Sequence, residues 1–191
     1  MVRPSPRAQI QHLGRHLLDL GFLGLMVGAA CWPLNLVDRW QDRLLERLPG
    51  FGGGAWSAAS LALVLVPLVV MPLLLVLQAG PWKDGRGSGI PQTMESLHDP
   101  ERREVLLAAT PTWRRSLLWT VASVALFSLG REGPVVQVGA AVAHALRRRF
   151  PALLRGLVPG GVLAIAAGAG LAGGFNSPLL GGVFMAEDLT G

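Results

Sequence analysis

Apolar residues run in long blocks separated by short clusters of charge, and each block predicts a helix. Residues 48 to 82 contain no Asp, Glu, Lys or Arg, and Trp56 and Trp82 bracket the segment SAASLALVLVPLVVMPLLLVLQAGP. As a helix that segment rises roughly 37 Å, enough for one tilted bilayer span with a tryptophan at each interface. Residues 20 to 37, LGFLGLMVGAACWPLNLV, form a further span. It continues into DRWQDRLLERL, where Val37, Trp40, Leu44 and Leu48 recur at helical spacing, so the helix is expected to leave the bilayer as an amphipathic end. Residues 156 to 186 are also uncharged, but repeated glycines and two prolines interrupt them. That segment predicts two closely packed, partly re-entrant helices rather than one rod. A further apolar block, SLLWTVASVALFSL at 116 to 129, ends abruptly at GREGPVVQVGA, where an arginine and a glutamate stand side by side between glycines.

Composition agrees with the pattern. Hydrophobic residues make up 51% of the chain and charged residues 15%, against about 25% charged in soluble domains, and the mean hydropathy is +0.45. An integral, multi-pass membrane protein is expected. The net charge of +5 raises the question of nucleic acid, but Arg3, Arg7, Arg15, Arg102, Arg103, Arg114, Arg115 and the run Arg147 to Arg149 all flank apolar segments. They read as positive-inside anchors, so the partner they imply is the lipid bilayer and not nucleic acid. The single cysteine, Cys31, allows no internal disulfide and is expected to be a packed thiol. The run GLMVGAAC ahead of it is a poor lipoprotein signal, because Asp19 interrupts the apolar stretch and Gly28 stands where such signals carry leucine. No zinc-type Cys/His cluster, Walker motif or nucleophile elbow is present, so neither an enzyme nor a metal or organic cofactor is expected.

One pattern occurs three times. Gly87-Ser-Gly-Ile-Pro91, Gly130-Arg-Glu-Gly-Pro134 and Gly174-Phe-Asn-Ser-Pro178 each place a proline four residues after a glycine and then open into helix-compatible sequence. Proline suits the first turn of a helix, where its missing N–H costs nothing. Ser88, Glu132 and Ser177 are placed at or just before the caps. A helix that starts within the membrane leaves up to four N–H groups unpaired, and an anion at the positive end of the helix dipole satisfies them. A glutamate at such a start can itself be the anion, filling the site when charged and vacating it when protonated. Glu132 is therefore the candidate gate and proton carrier. Arg131, its neighbour, diverges from it on a helix and is assigned to bracing the bend or raising the local potential.

These three stretches, GSGIPQ at 87 to 92, GREGPVVQVGA at 130 to 140 and GFNSPLLGGVFMAED at 174 to 188, resemble in order and spacing the signature regions of the CLC chloride channels and chloride/proton antiporters. The resemblance runs from about residue 17 to the end, with residues 1 to 16 similar to the family's short cytoplasmic leader. It implies an all-α fold of tilted and half-spanning helices, seven or eight in this chain, forming the first half of an inverted repeat. It implies chloride and protons as the transported species, a bound chloride ion, a homodimer, and a plasma or inner membrane. Ser88 matches the serine whose hydroxyl contacts chloride, in a loop that includes Gly89, Ile90 and Pro91. Glu132 matches the external gating glutamate, with Arg131, Gly133 and Pro134 shaping the outer anion site. Phe175 to Pro178 match a helix start near the subunit interface. Asp188 falls where proton-coupled members carry an internal glutamate.

Two departures bear on these expectations. Asp188 is one methylene shorter than that glutamate, with Glu187 beside it pointing about 100° away on a helix. The chain has no tyrosine, whereas the family completes its chloride site with one from the second half. A second half of the fold is thus an expected partner. Antiport leads; a passive chloride channel, or a non-transporting module pairing through small faces such as Gly156-x-x-x-Gly160 and Gly170-x-x-x-Gly174, stand as the alternatives.

Overall fold

Long apolar runs and glycine–proline breaks become helices and helix starts. The computed structural model describes residues 6–189, with side chains for residues 13–187. In chain order the helices are α1 (Pro6–Arg47), α2 (Ala58–Ala79), α3 (Ile90–His98), α4 (Pro100–Leu106), α5 (Ala109–Val124), α6 (Glu132–Arg149), α7 (Pro159–Phe175) and α8 (Pro178–Phe184). A 3-10 turn, Lys83–Gly85, precedes α3, and a π-helical turn, Met185–Leu189, follows α8. No strand occurs among the described residues, so the chain is all-α.

The first helix is continuous and draws no break at residue 16. Leu23, Val27, Cys31, Leu34 and Val37 recur at steps of three and four and are buried, while Leu18, Leu25 and Trp32 on other faces are exposed. Of the amphipathic stripe expected beyond Val37, Trp40 and Leu44 remain 53% and 42% exposed, so no element covers them among the described residues. Ser57 caps α2 by accepting the Ser60 N–H at 3.2 Å. Pro67 and Pro72 lie inside α2, and only Ala59 and Leu74 of that helix are buried. Both α1 and α2 are long and apolar enough to cross a membrane.

The core forms where α1, α6 and α7 meet, around Val135, Val136, Ala140, Ala143, Ala166, Ala167 and Leu171. In lipid, apolar contact brings no transfer gain between helices, so close backbone approach has to supply the attraction. Small residues permit it. A Cβ on Gly139 would overlap the Ala166 carbonyl, and one on Gly170 the Val135 carbonyl. Gly181 of α8 presses against the Gly168 carbonyl in the same way. The uncharged segment 156 to 186 does divide in two: Asn176, at a left-handed φ of 52°, ends α7, and Ser177 caps α8 by accepting the Leu180 N–H at 3.4 Å.

Candidate functional site

Two of the three glycine–proline motifs meet backbone to backbone. Gly87 and Gly89 hold φ values of 87° and 112°, which glycine reaches without a Cβ penalty. Gln92 fixes the bend: its Oε1 accepts the Gly89 N–H at 3.0 Å, and its Nε2 donates to the Arg86 carbonyl at 3.3 Å. The N-cap of α3 is therefore Gly89, with Ser88 just outside the helix and Pro91 in its first turn. In the second motif Arg131 is the N-cap and Glu132 the first helical residue, one place further in than the cap expected for it. The first bond of that helix runs from the Val135 N–H to the Arg131 carbonyl at 3.2 Å. The N–H groups of Glu132 and Gly133 consequently have no carbonyl within the helix, and Pro134 has no N–H to satisfy. A Cβ on Gly133 would overlap the Ser88 carbonyl, and one on Gly89 would come within 2.5 Å of the Gly133 carbonyl. Only glycine at both places lets these helix starts converge.

They open on a cleft of about 420 Å³, far above the roughly 15 Å³ a cavity needs to hold one water. Ser88, Ile90, Glu132, Gly133 and Pro134 line it, whereas Gly89, Pro91 and Arg131 do not. The half-buried Glu132 side chain folds back over Gly130, where a Cβ would strike its carboxylate. No hydrogen bond or ion pair engages that carboxylate among the described residues. Asp188 lies in the π-helical turn, and its side chain is outside the described residues.

Arg131 turns the other way. It forms an ion pair with Asp38 of α1, and its guanidinium carbon stands 5.0 Å from the centroid of the Phe175 ring. Through Phe175 it joins the third motif to the second, although the start of α8 does not line the cleft. The loop leading to Glu132 is pinned further by Trp119, whose Nε1–H donates to the Gly130 carbonyl at 3.0 Å, and by Gln41, whose Nε2 donates to the Phe127 carbonyl at 3.0 Å.

A cation missing from the expected site lines the same cleft. Arg115, which the sequence places among surface anchors, is 4% exposed. Its Nε and Nη2 donate to the Arg86 carbonyl at 3.2 and 2.7 Å, its Nη2 also to the Asp84 carbonyl at 3.2 Å, and its Nη1 to Gln137 Oε1. Gln137 in turn donates to the Leu106 carbonyl at 3.1 Å. Carbonyl and amide dipoles thus hold this guanidinium, and no carboxylate forms an ion pair with it among the described residues. The sequence carried a signal for its burial: Arg115 shares a helical face with Pro111, Leu118, Trp119 and Ala122, all buried.

Comparison with known proteins gives the chain a family. The family model described as "Voltage gated chloride channel" matches residues 67–191, which include all three glycine–proline motifs. Chloride channel protein C of Dictyostelium discoideum is 28% identical over 190 residues, an alignment covering 88% of this chain and 24% of that protein. The chain therefore spans about a quarter of the length of the curated relative that it matches. No solved structure matches. With its convergent helix starts inside the matched region, this chain belongs to the voltage-gated chloride channel family.

Proposed function

We propose that the chain forms the first half of a chloride/proton antiporter in which Glu132 is the gate and the proton carrier. The observation that carries this reading is the pairing, in one cleft, of a glutamate at a helix start with a buried guanidinium, neither of which forms an ion pair among the described residues. A buried charge without a counter-ion is costly, and a passing anion relieves that cost. Chloride entering the cleft meets the field of Arg115, the N–H groups of Glu132 and Gly133 that lack a partner within the helix, and the hydroxyl of the adjoining Ser88 as a donor. The charged Glu132 carboxylate competes for the same donors. Protonation ends that competition, opens the outer site and loads one proton for transfer. Asp188 is assigned the inner proton relay by its position in the motif GFNSPLLGGVFMAED. The name of the Dictyostelium relative supports chloride as the ion. A second half of the fold, a homodimeric assembly and multi-pass insertion in a plasma or inner membrane complete the proposal.

The test is paired chloride-electrode and pH-electrode recording on proteoliposomes holding the intact protein. Wild type should move protons against a chloride gradient. Glu132→Gln, which keeps size and removes the titratable group, should continue to pass chloride, become nearly insensitive to external pH and move no protons. Coupling preserved at a similar ratio in the variant would remove Glu132 from this role. The shorter carboxylate at Asp188 favours a second reading, a passive chloride channel, for which wild-type chloride flux would carry no protons at all.

A further inference from the structure

A second hollow, about 220 Å³, lies at the C-terminal end of α6 beside α4 and the start of α7 and shares no residue with the cleft. Its wall carries Arg103, Arg147, Arg148, His144 and a single carboxylate, Glu104. Two of the guanidiniums are fixed: Arg103 donates to the Ser96 and Leu97 carbonyls at 2.7 and 3.1 Å, and Arg147 to the Leu157 carbonyl at 3.2 Å. Arg148 holds Glu104 at 2.5 Å. His144, its side chain only 10% exposed, stands on the same wall, and its buried Nε2 lies 3.4 Å from Glu104, within ion-pair reach but too long for a good hydrogen bond. The 17-residue α7 begins at the same place, with Pro159 on the wall and no side chain capping the helix.

Three guanidiniums and an imidazole against one carboxylate, beside an uncapped helix start, together favour a multidentate oxyanion. The surroundings decide its source. Leu163 forms part of the wall, and Val158 and Phe150 nearby are 75% and 48% exposed, so apolar surface borders the charge. Arginines that flank membrane helices on one side also face an anionic lipid surface. We propose that this hollow binds a phosphate group, presented by an anionic phospholipid, and that Glu104 competes with it for Arg148.

The test is native mass spectrometry of the intact protein in detergent, titrated with phosphatidic acid or with phosphatidylcholine of the same acyl chains. Phosphatidic acid should be retained and phosphatidylcholine lost. The double variant Arg147→Gln/Arg148→Gln should weaken retention about tenfold, while Arg102→Gln/Arg149→Gln, which removes equal charge outside the hollow, should change it less than about twofold. Glu104→Gln should tighten retention severalfold, a gain that misfolding cannot produce. Equal losses in the two double variants, or no gain with Glu104→Gln, would overturn the proposal. Millimolar inorganic phosphate that displaces the lipid with the same ranking of variants would keep the phosphate site and assign its source to soluble phosphate; phosphate without such an effect assigns it to lipid.

Discussion

Arg131 pairs with Asp38, 93 positions away in the chain, and leaves its own neighbour Glu132 without an ion-pair partner among the described residues. The geometry divides an adjacent cation and anion into a brace and a free carboxylate. The brace is partly exposed, at 27% and 28% for the two side chains, so it is worth about 1 kcal/mol rather than the several of a fully buried pair. A double-mutant cycle on thermal unfolding of the intact protein in detergent should therefore give a coupling of roughly 1 kcal/mol between Asp38→Asn and Arg131→Gln. The same cycle between Arg131→Gln and Glu132→Gln should come out near zero. Equal couplings would mean that Arg131 serves its neighbour as much as it serves α1.

Gly170 and Gly173 stand one turn apart on α7 and should respond in opposite senses. A methyl on Gly170 meets the Val135 carbonyl, whereas one on Gly173 meets nothing within 4 Å. Gly170→Ala should destabilise by about 1–3 kcal/mol through forced separation of α6 and α7. Gly173→Ala, gaining only helix propensity, should stabilise by up to about 1 kcal/mol. Thermal melts of the two variants side by side decide it, and a stabilising Gly170→Ala would contradict the close backbone packing.

Asp84, in the turn between α2 and α3, accepts a 2.8 Å bond from Arg114, and that bond holds its carboxyl below the usual carboxylate range. A depressed acid contributes stability that is fully present above its unfolded value, near 3.9, and is lost as pH falls through the lower folded value. Because the pair is partly exposed, Asp84→Asn should cost less than about 1 kcal/mol at pH near 7. The deficit should vanish on acidification below the folded value. A deficit that persists there would assign the effect of Asp84 to its other contacts.

What could be read from the chain followed locality. Glycine and proline act through their own φ and their own missing groups, so the three helix starts, the split of 156 to 186 and the span at α2 were visible in short windows. Cap positions were visible to within one residue, which is why Glu132 moved from the cap to the first helical place. Relationships across the chain were not. Asp38 sits in a stretch that reads as an amphipathic helix end, and nothing local announces that its partner is Arg131. Arg115 departs from the anchor pattern for a different reason: a charge at the flank of an apolar run also has a helical face, and its face is the buried one. The exposed Trp40 and Leu44 show the converse, an apolar stripe that the described residues leave uncovered.

Arg115 provides the sharpest test of the cleft, because it has two separable roles. Its hydrogen bonds to the Arg86 and Asp84 carbonyls tie the loop before Ser88 to α5, and its charge faces the cleft that contains Glu132. Methionine removes both roles while filling similar space. Lysine retains a point charge but loses the planar fork that reaches several carbonyls at once. If the charge attracts chloride, Arg115→Met should raise the chloride concentration for half-maximal flux by roughly tenfold, about 1.4 kcal/mol, and Arg115→Lys should recover most of that loss. Both variants should unfold at lower temperature than wild type, since neither restores the carbonyl bonds. The measurement is chloride flux against chloride concentration in proteoliposomes of the intact protein, with melting recorded on the same preparations. If lysine impairs chloride dependence as severely as methionine, Arg115 acts only as a brace for the Ser88 loop, and the cleft has no fixed cation at work in anion binding.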